Sequence, residues 1–184
     1  VGAGAGASVG KLFGIDRGMK GGIGTASIRV GAVTVGALVA VNPTGDVIDP
    51  ATNHVLAGTR GADGRPRSAS RAIAAGELPE RALPGMATTI GIIATDARLT
   101  KPQCNKLATM AHDGLARAID PVHTMADGDT LFALATGASG RPGDMSVLGV
   151  LAATVTARAV LNAVRAATGL ADPSLPSARD LGLA

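Results

Sequence analysis

Thr88 and Thr89 stand at the mouth of an apolar stretch, in PGMATTIGIIATDA from Pro84 to Ala97. A threonine hydroxyl is a weak nucleophile unless a base lies beside it. An N-terminal threonine carries its own base, the α-amino group, whose ordinary pKa is about 7.7–8.0. A cut before Thr88 would therefore place attacker and proton acceptor in one residue. Such a centre needs three further groups: a cation or donor near the amine and hydroxyl, an amide or backbone N–H for the oxyanion, and a carboxylate to orient the amine. Lys11, Asn42 and Asp127 or Asp129 are of those types. A plainer reading competes, in which Thr88 is only a residue that favours strands. Residue type alone leaves both open.

Other chemistries have weaker support. GAGASVGKL superficially resembles a phosphate-binding loop, but Ala5 stands where the first glycine belongs. Leu12 follows Lys11 where a serine or threonine is needed for the metal. His54, His112 and His123 are far apart in sequence and lack ligand spacing, so His112 reads as a structural histidine. The acidic pair Asp127 and Asp129 could hold a divalent ion, but no third ligand is in view. The expectation is no cofactor and no metal.

Composition narrows the classes further. The 184 residues are 46% hydrophobic, enough for one domain with a core. Tyr and Trp are absent, so Ala, Val, Ile and Leu must build that core around Phe13 and Phe132. A net charge of +3 argues only mildly for an anionic partner. Arg60, Arg65, Arg67 and Arg71 cluster without an aromatic residue to stack on a base, so they read as a solvated linker rather than a nucleic-acid surface. Cys104 is alone, which excludes a disulfide framework. Apolar runs are short and interrupted, so no membrane span is expected and a cytoplasmic location fits. The chain opens on VGAGAGASVG without a methionine and reads like the middle of a longer protein.

These residues need elements to position them. Glycine-punctuated Val1–Gly24 predicts tight turns or bulges. Ser27–Val41 predicts strands turning near Gly31, followed by a turn at Asn42–Gly45 and a short strand at Asp46–Asp49. Pro50–Ala87 loses periodicity and reads as a long surface connection. Thr88–Thr95 reads as a buried strand. Thr100 and Gln103 form a capping box before a helix that puts Leu107, Met110, Ala111, Gly114, Leu115 and Ala118 on one face, stopped by Pro121. A strand at Asp129–Thr136 follows. Asp144 caps a long apolar helix to about Thr168, and the tail from Asp172 to Ala184 reads as surface. The order strands, linker, strand, helix, strand, helix predicts a layered α/β sandwich.

The stretches VGAGAGASVGK, KGGIGTAS, TVGALVAVNPTGDVID, TTIGIIATDARLTK and MAHDGLARAIDPVHTMADGDTLFALATG together resemble the L-aminopeptidase/D-esterase family. That family includes β-peptidyl aminopeptidases and nylon-oligomer (6-aminohexanoate) hydrolases. The resemblance runs from Val1 to about Ala167. It implies an N-terminal-nucleophile hydrolase on an αββα sandwich, an aminopeptidase/ornithine acetyltransferase-like fold. It also implies a precursor that cuts itself into an α-subunit and a β-subunit beginning with Ser or Thr. Residues 1–87 would then end the α-subunit, with a linker at about 50–87 and its N-terminal half missing. Residues 88–184 would be the β-subunit.

By the same resemblance Thr88 is the nucleophile, Asn42 stabilises the oxyanion, Lys11 assists the nucleophile, and Asp127 and Asp129 hold the new amino terminus and hydroxyl. Lysine and Asp-Gly-Asp mark the oligomer-hydrolase branch. Ala87 departs from both branches, which place Asn or Gly before the cut; its side chain need not act, because the hydroxyl attacks the carbonyl. The implied partners are a small peptide or amide substrate, the missing part of the α-subunit, and further copies, as a homo-oligomeric tetramer of αβ units. Two alternatives remain at this level: an acyl transferase like ornithine acetyltransferase, and an inactive, uncut scaffold.

Overall fold

Val35, Val39 and Val41 are fully buried and alternate with half-buried or exposed neighbours, the period-two pattern of a strand with one covered face. The computed structural model describes residues 2–79, 87–172 and 174–184. In chain order the strands are β1 (Ser8–Val9), β2 (Met19–Lys20), β3 (Gly22–Val30), β4 (Val33–Asn42), β5 (Asp46–Asp49) and β6 (His54–Ala57), followed by helix α1 (Ala69–Ala74). Then come β7 (Thr88–Thr95), α2 (Lys101–Ala118), β8 (Ile119–Asp120), β9 (Thr130–Ala135) and α3 (Met145–Ala166).

The main sheet has the order β3-β4-β7-β9. Its first three strands are antiparallel, while β9 runs parallel to β7 after the crossover through α2. Among the described residues the smaller sheets are β1-β2 and β6-β5-β8. Helices α2 and α3 pack on each other and cover one face of the main sheet. Small residues allow that approach. A Cβ on Gly24 would lie 2.1 Å from the Ala159 carbonyl oxygen of α3, and one on Gly114 of α2 would lie 2.3 Å from the Ala153 oxygen. A core without Tyr or Trp is filled by bringing backbones together. By length and composition α3 could cross a membrane, yet 67% of its apolar window is buried inside this fold.

The opposite face of the main sheet is open. Leu38, Ile90 and Phe132 on that face are 42%, 49% and 56% exposed. The stretch Thr88–Thr95, expected as a buried strand, is thus covered on one side only. Three further expectations are corrected. The connection read as structureless contains β6 and α1, because Asp46 ties it down: its carboxylate accepts from Thr59 N at 2.7 Å and Ala69 N at 2.6 Å. Within it, Arg67 is paired with Glu77 and lies over the Phe13 ring at 5.1 Å, while Arg60 bonds the Arg17 and Gly18 carbonyl oxygens. The tail is not all surface, since Ser177 and Ala178 are fully buried and Pro176 O accepts from Lys20 N. The remaining 80–86 of the expected linker lie outside the described residues.

Asp46 is fully buried, and burial pushes its carboxyl up to about 7. Folded Asp46 keeps its proton to about pH 7, whereas the unfolded group releases it near 3.8. The folded state therefore binds more protons in this window, and stability falls as pH rises from about 4 to about 7, by at most ~1.4 kcal/mol per pH unit. Urea unfolding of the wild type and Asp46→Asn checks this: the wild-type advantage should shrink across that range. A constant or growing advantage would contradict it.

Candidate active site

The antiparallel register sets Asn42, the last residue of β4, directly opposite Thr88, the first residue of β7. Both side chains belong to the open face, where neighbouring strands line up Ala40 with Ile90. They border a cavity of about 260 Å³ lined also by Gly4, Gly6, Ala7, Ala40 and Ile90. The lining is small and apolar apart from Asn42 and Thr88.

Lys11 enters from the segment after β1. Gly10, at φ +70, makes the turn, and a Cβ there would strike Gly58 at 2.0 Å. Backbone bonds from Gly10 N to Gly45 O and from Lys11 N to Thr44 O, both 2.8 Å, fix the segment against the turn after β4. The Lys11 ammonium donates to Asn42 Oδ1 at 2.8 Å and Asn42 O at 3.0 Å. Ser8 N also donates to Asn42 Oδ1, at 3.0 Å. Two donors on one atom identify it as the amide oxygen, so Nδ2 is the donor end of the amide. Lys11 is 8% exposed, and burial lowers its pKa to about 8 against the opposing pull of the Asp127 charge.

The two aspartates diverge. Asp127 accepts from Thr44 N at 2.9 Å, Thr44 Oγ1 at 2.6 Å and Thr124 Oγ1 at 2.5 Å, so it staples the turn after β4 to the loop before β9. Asp129 accepts from Thr89 N at 2.7 Å through Oδ1 and meets His123 Nδ1 at 2.7 Å through Oδ2. In the continuous chain Asp129 thus reaches one residue past Thr88. Gly128 lies between them. Its N–H donates to the Ala87 carbonyl oxygen at 3.1 Å, and a Cβ on it would stand 3.0 Å from Thr88 Oγ1. Thr88 Oγ1 donates to the same carbonyl oxygen at 2.5 Å.

Thr88, Lys11 and Asn42 therefore share one end of the β4–β7 pair, with Ala87, Asp127 and Asp129 brought up by the parallel pairing of Ala87 with Asp127. Sequence reasoning misses Ser8, Thr44, Thr124 and the Gly128 N–H. The last has a visible signal, a glycine between two aspartates. Spacing along the chain also separates His112 from His123, whose rings lie 5.1 Å apart because Pro121 and the left-handed His123 (φ 54) turn the chain back beside α2. Among the described residues no group of three or more His, Cys, Asp or Glu could hold a metal ion.

The chain is similar to known proteins over most of its length. The model of peptidase family S58 matches residues 1–174. An uncharacterized aminopeptidase of Mycobacterium leprae is 44% identical over 93% of this chain and 49% of its own length. A 6-aminohexanoate-oligomer endohydrolase of Kocuria sp. (strain KY2) is 35% identical over 89% of this chain and 50% of its own. The chain spans about half the length of these relatives. Among solved structures, the L-aminopeptidase D-Ala-esterase/amidase of Ochrobactrum anthropi, described as a variant of the Ntn hydrolase fold, superposes with a TM-score of 0.56. It is 23% identical and covers 90% of this chain and 44% of that one, so it speaks for the fold alone. The layered α/β architecture here is of that Ntn-hydrolase kind.

The Lys11–Asp127 relation is measurable. The Lys11 amine should titrate with a midpoint near 8, read from the side-chain ¹³Cε shift. Removing the charge in Asp127→Asn should move the midpoint lower still, because that charge holds it up. A rise in the variant, or a midpoint near the ordinary 10.5 in the wild type, would contradict the burial assigned to the amine.

Proposed function

The chain belongs to peptidase family S58, and on that premise we propose that it forms the catalytic half of a self-processing amide hydrolase whose nucleophile is Thr88. One observation carries the reading. The Ala87 carbonyl receives both the Thr88 hydroxyl and the Gly128 N–H, across the strand pair from an Asn42 amide held by Lys11.

In processing, Thr88 Oγ1 attacks the Ala87 carbonyl carbon. The negative charge that develops on the Ala87 oxygen is met by the Gly128 N–H. The Ala87–Thr88 C–N bond breaks, the hydroxyl proton ends on the Thr88 nitrogen, and an ester links the two residues. Water hydrolyses the ester, leaving an Ala87 carboxylate and a Thr88 with free amine and hydroxyl. Ala87 fits this step, since its side chain has nothing to do.

In turnover, Thr88 Oγ1 attacks the substrate carbonyl and its proton passes to the α-amine. The Asn42 amide donates to the tetrahedral oxyanion. Lys11, with a pKa near the working range, stabilises the amine in its basic form and relays protons. The leaving amine takes the proton, and water releases the acyl group from Thr88. Asp129, already on the Thr89 N–H, draws the new ammonium towards itself, while Asp127 holds the surrounding loop. The small apolar cavity suits an uncharged acyl chain. This supports short peptides or amino-acid oligomers as the substrate class.

The open face of the main sheet, with Leu38, Ile90 and Phe132 exposed, needs a cover. In this reading that cover is the remainder of the full-length protein, the preceding part of the α-subunit.

Mass spectrometry of the full-length protein tests the central claim. The wild type should give two polypeptides divided between Ala87 and Thr88 and should hydrolyse amides; Thr88→Ala should stay whole and inactive. A whole wild-type chain, or full activity in Thr88→Ala, would sink the proposal. Gly128→Ala adds a Cβ 3.0 Å from the Thr88 hydroxyl and should slow self-cleavage by about tenfold or more while the protein stays folded. Cleavage at the wild-type rate would show that the space between residue 128 and the Thr88 hydroxyl does not limit the attack.

A further inference from the structure

His123 is absorbed by none of the roles above, yet it touches the site. Its Nδ1 lies 2.7 Å from Asp129 Oδ2. The Asp129 carboxylate is 2% exposed, while the His123 ring is 40% exposed. The other carboxylate oxygen accepts the Thr89 N–H, at the residue beside the nucleophile. The contact is therefore a chain of two hydrogen bonds running from a solvent-facing ring, through a buried carboxylate, to the backbone at Thr88–Thr89. His123 also sits at φ 54, in the left-handed region where Asn, Asp and His are enriched among non-glycine residues.

We infer that His123 is a positioning residue: its Nδ1–H fixes the Asp129 carboxylate so that Oδ1 holds the Thr89 amide, and with it the first residue of β7, in line for attack. The role rests on Thr88 being the nucleophile. The ring's neighbours set its electrostatics. Asp129 faces it from the residue before β9, and His112 faces it from α2 with the rings 5.1 Å apart. Asp113, next to His112 on α2, adds a negative charge felt by His112. His112 is held towards its neutral form by burial first and by His123 second. Of the two imidazoles, His123 is the one that carries the carboxylate contact.

Two substitutions separate the hydrogen bond from the backbone. His123→Asn tolerates φ 54, and its amide Nδ2 can replace Nδ1 as the donor to Asp129. His123→Gly tolerates the same φ without strain but has no donor. In the full-length protein, kcat for amide hydrolysis should fall about ten- to a hundredfold in His123→Gly, the loss of one hydrogen bond to a charged group. KM should change little. The Asn variant should keep kcat within about threefold. Hydrogen exchange of the Thr89 amide gives a readout that does not depend on activity: exchange should accelerate in the Gly variant and remain protected in the Asn variant. Equal kcat in Gly and wild type would overturn the assignment. So would equal impairment in Asn and Gly, because the restored donor would then have restored nothing. An inactive wild type that still shows the Gly–Asn contrast at Thr89 would support the positioning contact and overturn the hydrolase reading instead.

Discussion

The pairing of β4 with β7 is the constraint on which the rest depends. Asn42 and Thr88 are the last and first residues of antiparallel neighbours, and their register places them side by side. Side chains alternate between faces, so a slip of one residue would turn Thr88 towards the helices and Thr89 outwards. The register is held firmly because Val35, Val39, Val41 and Ile93 fill the covered face without exposure. Burial of apolar side chains several residues away thereby fixes which threonine faces the cavity.

Around that pair the protein spends charge sparingly. Lys11 is buried with its ammonium on the backbone carbonyl and the amide oxygen of Asn42, and the loss of water lowers its pKa more than the Asp127 charge raises it. Asp127 is surrounded by hydroxyl and N–H donors, so its charge is met locally while still being felt at Lys11. Asp129 divides its two oxygens between the strand and His123. The site is a set of short links among the ends of β4 and β7 and the segments before β5 and β9.

Glycine and alanine serve the same end in the core. With no Tyr or Trp, the molecule closes space by letting α3 approach β3 and α2 approach α3 until backbone atoms nearly meet at Gly24 and Gly114. That packing buries one face of the main sheet and leaves Leu38, Ile90 and Phe132 exposed on the other, where Thr88 and Asn42 lie.

Local chemistry is legible in the order of residues. The capping box at Thr100 and Gln103, the Asp144 cap, the turn after Asn42 and the strands on either side of Gly31 all follow from short-range rules and are present. So are the residue types of the candidate site and, through the resemblance, the family. What the sequence leaves undecided requires distance. The order of strands puts β9 parallel to β7 and opens one face of a strand that reads as buried from its composition. Asp46 organises a stretch that looks structureless because its partners, Thr59 and Ala69, are remote in sequence. His112 and His123, unrelated by spacing, meet because the chain turns back at Pro121. Propensity and capping act over a few residues, and the sequence determines them alone. Which carboxylate meets which amide, and which side of a sheet stays open, depends on backbone packing between distant segments, and only the tertiary structure decides it.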